Sequence, residues 1–277
     1  MFRASIILVT LFFSFKLYGI TNIVVTTLPV YSVAYNIAHG GNLKIDMVSQ
    51  TNDEMHGYGS EIMPSDILNL RKADLIIAID DVLEKVYTEK TWKKKTIFLA
   101  ENIPNVNDLH IWLSPEFIVK IADILLDQFI LWDVENKSLY QNNYGIFLQR
   151  INIMLEDIGS MLQNIQDIKY FVLHDAYSNF THYFSLNNPI GFLIDRNHNL
   201  VTSQQVLQLH RDNSTVCVLS GMKNSEFLFN LLPENVILFP TDILGTSYIK
   251  DNTADYKEVY FSIMYGLADA FVQCAKV

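Results

Sequence analysis

The sequence predicts an α/β fold of two lobes, each with a four-stranded mainly parallel sheet flanked by helices, joined by one long rigid backbone helix. Three observations carry this. Short apolar runs rich in β-branched residues alternate with helical periods, which is the pattern of a parallel sheet covered on both faces. That alternation occurs twice along 277 residues. Between the two halves lies a proline-free stretch with an unbroken apolar stripe.

In the first half, strands are expected at Asn22 to Thr27, Leu43 to Val48, Leu75 to Ile79 and Thr96 to Leu99, each short enough to be buried on both faces. Helices are expected at Tyr31 to Ala38, Ser65 to Lys72 and Asp81 to Tyr87. Ser114, Pro115 and Glu116 supply an N-cap, a proline at the first helical position and an early acid. Ile118, Ile121, Ala122, Leu125, Leu126 and Phe129 then follow at helical spacing, so a helix covers about 115 to 130. From about 134 to 165 the stripe Leu139, Tyr144, Phe147, Leu148, Ile151, Met154, Leu155, Ile158, Met161, Leu162 and Ile165 predicts a single long helix, unusual for a globular domain. In the second half, strands are expected at Lys169 to Leu173, Ile190 to Ile194, Thr215 to Leu219 and Val236 to Phe239. The helices there are Tyr177 to Phe184, Ser203 to His210, Ser225 to Leu231 and Tyr256 to Gln273. The resulting division is a leader at 1–20, a first lobe at 21–133, a linking helix at 134–166 and a second lobe at 167–277.

The leader opens with Arg3, runs apolar from Ala4 to Phe15 and ends near Gly19. This reads as a secretory signal, since the run falls short of the roughly 20 residues that a spanning helix needs. No cysteine lies near the expected cleavage point, so a lipid anchor on that residue type is not expected. Twenty basic against thirty acidic residues leave a net charge of −10, with no basic surface suited to a phosphate backbone, so nucleic acid is not an expected partner. Cys217 and Cys274, in an exported chain, are read as a disulfide or as two buried thiols.

Candidate donors follow the strands. His56 comes after the second strand, His174 after the first strand of the second half, and Asp242 after its last strand. Open parallel sheets bind ligands outside the carboxyl ends of their strands. His110 stands just before a capped helix, in Asp108-Leu109-His110-Ile111-Trp112-Leu113-Ser114-Pro115. Their spacing is far too wide for a local motif of the His-Glu-x-x-His kind, so from spacing alone their convergence is only suggested. His39 is expected to close a helix before a glycine, and His182, His198 and His210 read as surface or helix residues. Asp175 reads either as an acceptor behind a ligand or as an acid at a helix start.

The segments around these donors resemble the periplasmic zinc-binding proteins that feed ATP-driven metal uptake transporters, over nearly the whole mature chain. His56-Gly57-Tyr58, Met63-Pro64-Ser65-Asp66 and Ala73-Asp74-Leu75 are similar to that family's first signature. His110-Ile111-Trp112-Leu113-Ser114-Pro115, Val172-Leu173-His174-Asp175-Ala176-Tyr177 and Thr241-Asp242-Ile243-Leu244-Gly245 resemble its next three ligand segments. The resemblance implies a solute-binding protein, not an enzyme, that captures Zn2+ between two lobes and delivers it to the membrane permease of an ABC transporter. It implies the ligand set His56, His110, His174 and Asp242, with Glu54 or water as alternatives to Asp242, because the family usually has proline where this chain has Ile243. It also implies a Cys217–Cys274 disulfide, since zinc-specific members carry one there, a periplasmic location and a monomer. Three imidazoles and a carboxylate suit tetrahedral zinc, whereas manganese prefers more oxygen donors. A manganese-binding member of the family and an envelope adhesin with structural metal are the alternatives. A zinc hydrolase would need an open coordination position and a general base, and the sequence holds neither a His-Glu-x-x-His nor a nucleophile elbow. Thr88 to Leu109 carries Lys93-Lys94-Lys95 and no histidine, so the histidine-rich zinc-gathering loop of many members is not expected.

Overall fold

The computed structural model describes residues 21–48, 64–193, 215–221, 234–249 and 255–277. The expected helices at Ser203 to His210 and Ser225 to Leu231, the leader, His56 and Glu54 lie outside the described residues. In the first lobe, β1 (Asn22–Val25), β2 (Lys44–Met47), β3 (Leu75–Ala78) and β4 (Thr96–Phe98) form a parallel sheet in the order β2-β1-β3-β4. Ile23 lies opposite Ile45 on one side and Leu75 on the other, while Ile77 pairs with Ile97. The second lobe repeats this arrangement with β5 (Phe171–Val172), β6 (Gly191–Phe192), β7 (Val216–Ser220) and β8 (Val236–Pro240), in the order β6-β5-β7-β8, again parallel. In both sheets the chain departs in opposite directions from a central pair, β1 and β3 or β5 and β7. The crevice at the carboxyl ends of such a pair is where open sheets bind ligands.

The helices are α1 (Leu28–Ala38), α2 (Pro64–Lys72), α3 (Lys90–Lys93), α4 (Pro115–Trp132), α5 (Lys137–Leu162), α6 (Ser178–Tyr183) and α7 (Tyr256–Cys274). Helix α4 starts as its sequence dictates: Ser114 accepts from the Phe117 amide at 3.2 Å and Pro115 occupies the first turn. Its buried face is Ile118, Ile121, Ala122, Leu125 and Phe129. The long helix begins later than the apolar stripe predicts. Val134–Asn136 is a 3₁₀ turn, because the Asp133 carboxylate gathers the Asn136 side chain, the Tyr140 hydroxyl and the Asn42 amide around the end of α4. From Lys137 it runs 26 residues and buries Tyr140, Asn143, Phe147, Ile151, Met154, Ile158 and Leu162.

Asp81 to Tyr87 is not the helix that its apolar spacing predicts; it is turns followed by a 3₁₀ segment at Lys85–Thr88. The reason is Glu84, buried at 1% exposure, whose carboxylate reaches back to accept from the Ile79 amide at the end of β3. Short α3 follows, announced by no periodicity, and buries Trp92. His39 caps α1 as expected, its Nδ1 2.9 Å from the Asn36 carbonyl, and Gly40 then turns the chain at φ +83°.

One apolar core runs from Ile23, Ile77 and Ile111 in the first lobe through Phe147 and Ile151 of α5 to Val172, Leu219 and Phe271 in the second. The last helix belongs to both lobes. Cys274 at its end is bonded to Cys217 on β7, with Cα atoms 5.4 Å apart, so the expected disulfide is present. Its start docks on α1: the Ser32 hydroxyl donates to the Tyr256 carbonyl at 2.6 Å and accepts from the Tyr260 amide at 3.1 Å, and the Asn36 amide donates to the Lys257 carbonyl at 3.0 Å. Arg150 on α5 holds Glu258 at 2.6 Å and stacks 4.0 Å over Phe261.

Two outcomes follow from these contacts. The disulfide closes a 57-residue loop, for which the chain-entropy account gives about 4 kcal/mol. Replacing both cysteines with alanine is expected to lower stability in urea by about 2–5 kcal/mol, and an unchanged midpoint would refute that. Burial pushes the Glu84 carboxyl up from 4.5 to about 7, against hydrogen bonds from the Thr26 hydroxyl and the amides of Ile79 and Asp80, and with the Asp80 charge adding to the rise. The folded state therefore keeps a proton that the unfolded chain has released, so stability declines as pH rises between 4.5 and about 7. Glu84→Gln removes that titration, and denaturation at low and at neutral pH is expected to show a flatter pH dependence than the parent chain.

Candidate metal centre

His174 leaves the carboxyl end of β5, where the Leu173 amide is still bonded to the Leu219 carbonyl at 3.0 Å. Gly221 leaves the end of β7 beside it. A Cβ at Gly221 would stand 2.9 Å from His174 Cε1 and 3.2 Å from the Tyr177 hydroxyl, so the absent side chain is what admits the imidazole into the crevice between β5 and β7. The Tyr177 hydroxyl is 2.7 Å from Thr241 Oγ1, which in turn donates to the Ser220 carbonyl at 3.1 Å. The β5, β7 and β8 ends are thereby tied together behind His174.

His110 comes from the first lobe and meets His174 there. Their ring centroids are 5.7 Å apart, with planes at 54°. His110 is also 5.4 Å from Trp112 in an edge contact. Trp112 is fully buried, and its indole N–H donates to the Ile243 carbonyl at 2.8 Å, across the junction and next to Asp242.

Behind His110 stands a carboxylate that motif spacing did not single out. Asp108 Oδ1 is 2.7 Å from His110 Nδ1 and accepts from the His110 amide at 3.0 Å, while Oδ2 accepts from the Ser178 hydroxyl at 2.7 Å. Burial works to raise the Asp108 carboxyl, but the hydrogen bond and charge of His110, with the Ser178 hydroxyl, outweigh it and hold the group below its usual range. Asp108 is therefore ionised at neutral pH, the state that accepts from an imidazole N–H. Asp175 lies exposed beside His174.

Asp242 sits in a turn whose Gly245 adopts φ +76° and packs so closely on α7 that a Cβ would lie 2.8 Å from Val259 and Ile263. Its two oxygens accept from the amides of Thr246, at 3.1 Å, and Ser247, at 2.6 Å, at the start of the 3₁₀ turn Thr246–Ile249. Among the described residues no three histidine, cysteine, aspartate or glutamate side chains come together as a metal-holding group. What the described structure brings together is the pair His110 and His174.

The profile of the family described as "ZnuA: Zinc-uptake complex component A periplasmic" matches residues 23–274. The chain belongs to this family. It is 24% identical to the high-affinity zinc uptake system protein ZnuA of Yersinia pestis, over 91% of each chain. Among solved structures, a crystal structure of ZnuA superposes with a TM-score of 0.73 at 19% identity, covering 93% of this chain and 100% of the other. The periplasmic zinc binding protein TroA of Treponema pallidum superposes at 0.72 and 15% identity, covering 93% and 99%. These likenesses bear out the two-lobe fold. Membership makes the chain an exported zinc-binding component of an uptake system that works with an ABC permease in the membrane, and not an enzyme. The manganese and adhesin readings are not favoured. Among the described residues no helix is long and apolar enough to cross a membrane.

The fit around Gly221 is testable directly. Gly221→Ala is expected to displace the His174 ring, not the backbone, and so to weaken zinc binding about 10-fold or more in a chelator competition while leaving the melting temperature nearly unchanged. Equal affinities for the two proteins would show that the crevice does not set the position of His174.

Proposed function

We propose that the zinc ion is held by His110 and His174 at the junction of the lobes, with His56 and Asp242 completing a tetrahedral set. The observation that carries this reading is the separation of the two rings. With Zn–N near 2.0 to 2.1 Å and a tetrahedral angle, two imidazole centroids on one ion stand about 5 Å apart; here they stand 5.7 Å apart, one from each lobe. With Nδ1 committed to Asp108, His110 offers Nε2 to the ion. The amides of Thr246 and Ser247 orient the Asp242 carboxylate, and each oxygen retains a lone pair with which to coordinate. His56, outside the described residues, enters this set because His56-Gly57-Tyr58 resembles the family's first ligand segment. This reading also takes the chain as a monomer without affinity for nucleic acid, exported with removal of residues 1–20 and without a lipid anchor. A filled four-donor shell captures an ion; it leaves no position for an attacking water.

A competition titration of the metal-stripped mature chain against a chelator of known affinity tests the site. One zinc per chain is expected, with manganese far weaker. His110→Ala and His174→Ala are each expected to lower zinc affinity by about 100-fold or more, consistent with the several kcal/mol that a metal ligand contributes. Affinity is expected to fall as pH is lowered, because only neutral imidazoles bind the ion. Unchanged binding in both histidine variants would overturn the assignment.

A further inference from the structure

The loop that carries His110 belongs to the first lobe, yet its side-chain anchors come from the second. Asp108 accepts from Ser178, and the Asn179 amide donates to the carbonyls of both Asp108 and His110, at 3.1 and 3.0 Å. Ser178 and Asn179 follow His174 by only four and five positions, as the first two residues of α6. One short segment of the second lobe thus presents one imidazole and fixes the loop of the other.

We infer that Asp108, Ser178 and Asn179 are positioning residues that set the Nδ1–H tautomer of His110 and hold its ring in register with His174 before zinc arrives. The inference rests on the reading that His110 binds the ion. Its chemistry is local. A carboxylate only accepts hydrogen bonds, so the imidazole nitrogen 2.7 Å away carries the proton and the other nitrogen carries the lone pair. The carboxylate also makes that nitrogen a stronger donor to a metal. Ser178 fixes the second carboxylate oxygen, so Asp108 cannot rotate away, and Asn179 pins the backbone on either side of Leu109. A ligand already in its binding tautomer and orientation loses less freedom on binding, which raises affinity without any added contact to the ion. The arrangement also links affinity to lobe contact, because separating the lobes removes Ser178 and Asn179 from the loop and frees the ring.

The test uses the full metal-free chain and five variants. In the ¹⁵N spectrum at a pH where imidazoles are neutral, His110 is expected in the Nδ1–H tautomer; the Nε2–H form in the parent chain would overturn the inference. By chelator competition, Asp108→Ala is expected to bind zinc about 10- to 100-fold more weakly, while Asp108→Asn, which keeps an acceptor for Nδ1–H, recovers most of the loss. Ser178→Ala and Asn179→Ala, on the opposite lobe, are expected to lose affinity by several-fold and to shift the tautomer ratio, and they keep the question answerable if Asp108→Ala fails to fold. His110→Ala separates the two readings. If it binds zinc like the parent, the ligand assignment fails; if it loses zinc while the Asp108, Ser178 and Asn179 variants keep parental affinity and tautomer, the positioning role fails.

Discussion

A site divided between two sheets is only as well defined as the contact that holds the sheets together. Here that contact is a layer of three helices, α1, α5 and α7, packed into a core that runs without interruption from one lobe to the other. Each lobe presents its own crevice at the ends of its central strands, and in the proposed ligand set neither crevice alone supplies all four donors. The helix layer converts two partial sites into one. Helix α7 matters most in this, because it is bonded covalently to β7 at one end and through Ser32, Asn36 and Arg150 to the first-lobe side at the other.

Polar groups in this layer are used as fasteners and are satisfied accordingly. Ser32 is fully buried, and its hydroxyl both donates and accepts across the junction. Asn143, buried in α5, donates to the carbonyls of Ile37 and His39 at the end of α1, where helix carbonyls lack partners. Arg150 spends its charge on Glu258 and its face on Phe261. Such bonds add little net stability each, but losing one partner leaves the other buried and unsatisfied. They therefore specify one relative placement of the lobes more strongly than apolar packing alone, which tolerates sliding.

The fold was legible in the sequence because its strands are compact β-branched runs such as Ile23-Val24-Val25 and Leu75-Ile76-Ile77, and because Ser114-Pro115 marks a helix start with side-chain chemistry. Asp81 to Tyr87 was not, since Leu83, Val86 and Tyr87 sit at helical spacing and only the backward reach of Glu84 to Ile79 shows that the chain turns there. The start of α5 was misplaced for a similar reason: Asp133 acts on Asn42 and Tyr140 together, and one of those partners is remote in sequence. At the site, His110 and His174 could be picked out by their neighbours in the chain. Asp108 could have been noticed too, two residues before a histidine, but its value depends on Ser178, 70 residues away. Gly221 carries no local sign at all; its meaning lies in the imidazole that would collide with a methyl group.

The same contacts constrain how an ion leaves. Pulling the lobes apart at the site would expose Trp112 and break its bond to the Ile243 carbonyl. An indole buries roughly 200 Å², so at about 25 cal/mol per Å² its exposure alone costs on the order of 5 kcal/mol, before any bond from Ser178 or Asn179 is lost. A wide opening is therefore expensive relative to detaching one ligand at a time. Loss begins most cheaply at a donor whose support comes from its own loop. In the proposed ligand set Asp242 is such a donor, held by the amides of Thr246 and Ser247 in the turn that bears it, whereas the His110 loop is braced from the opposite lobe and His174 is backed by the tied ends of β5, β7 and β8. The direction of release is thus written into the difference between a carboxylate held by its own turn and an imidazole loop held across the junction.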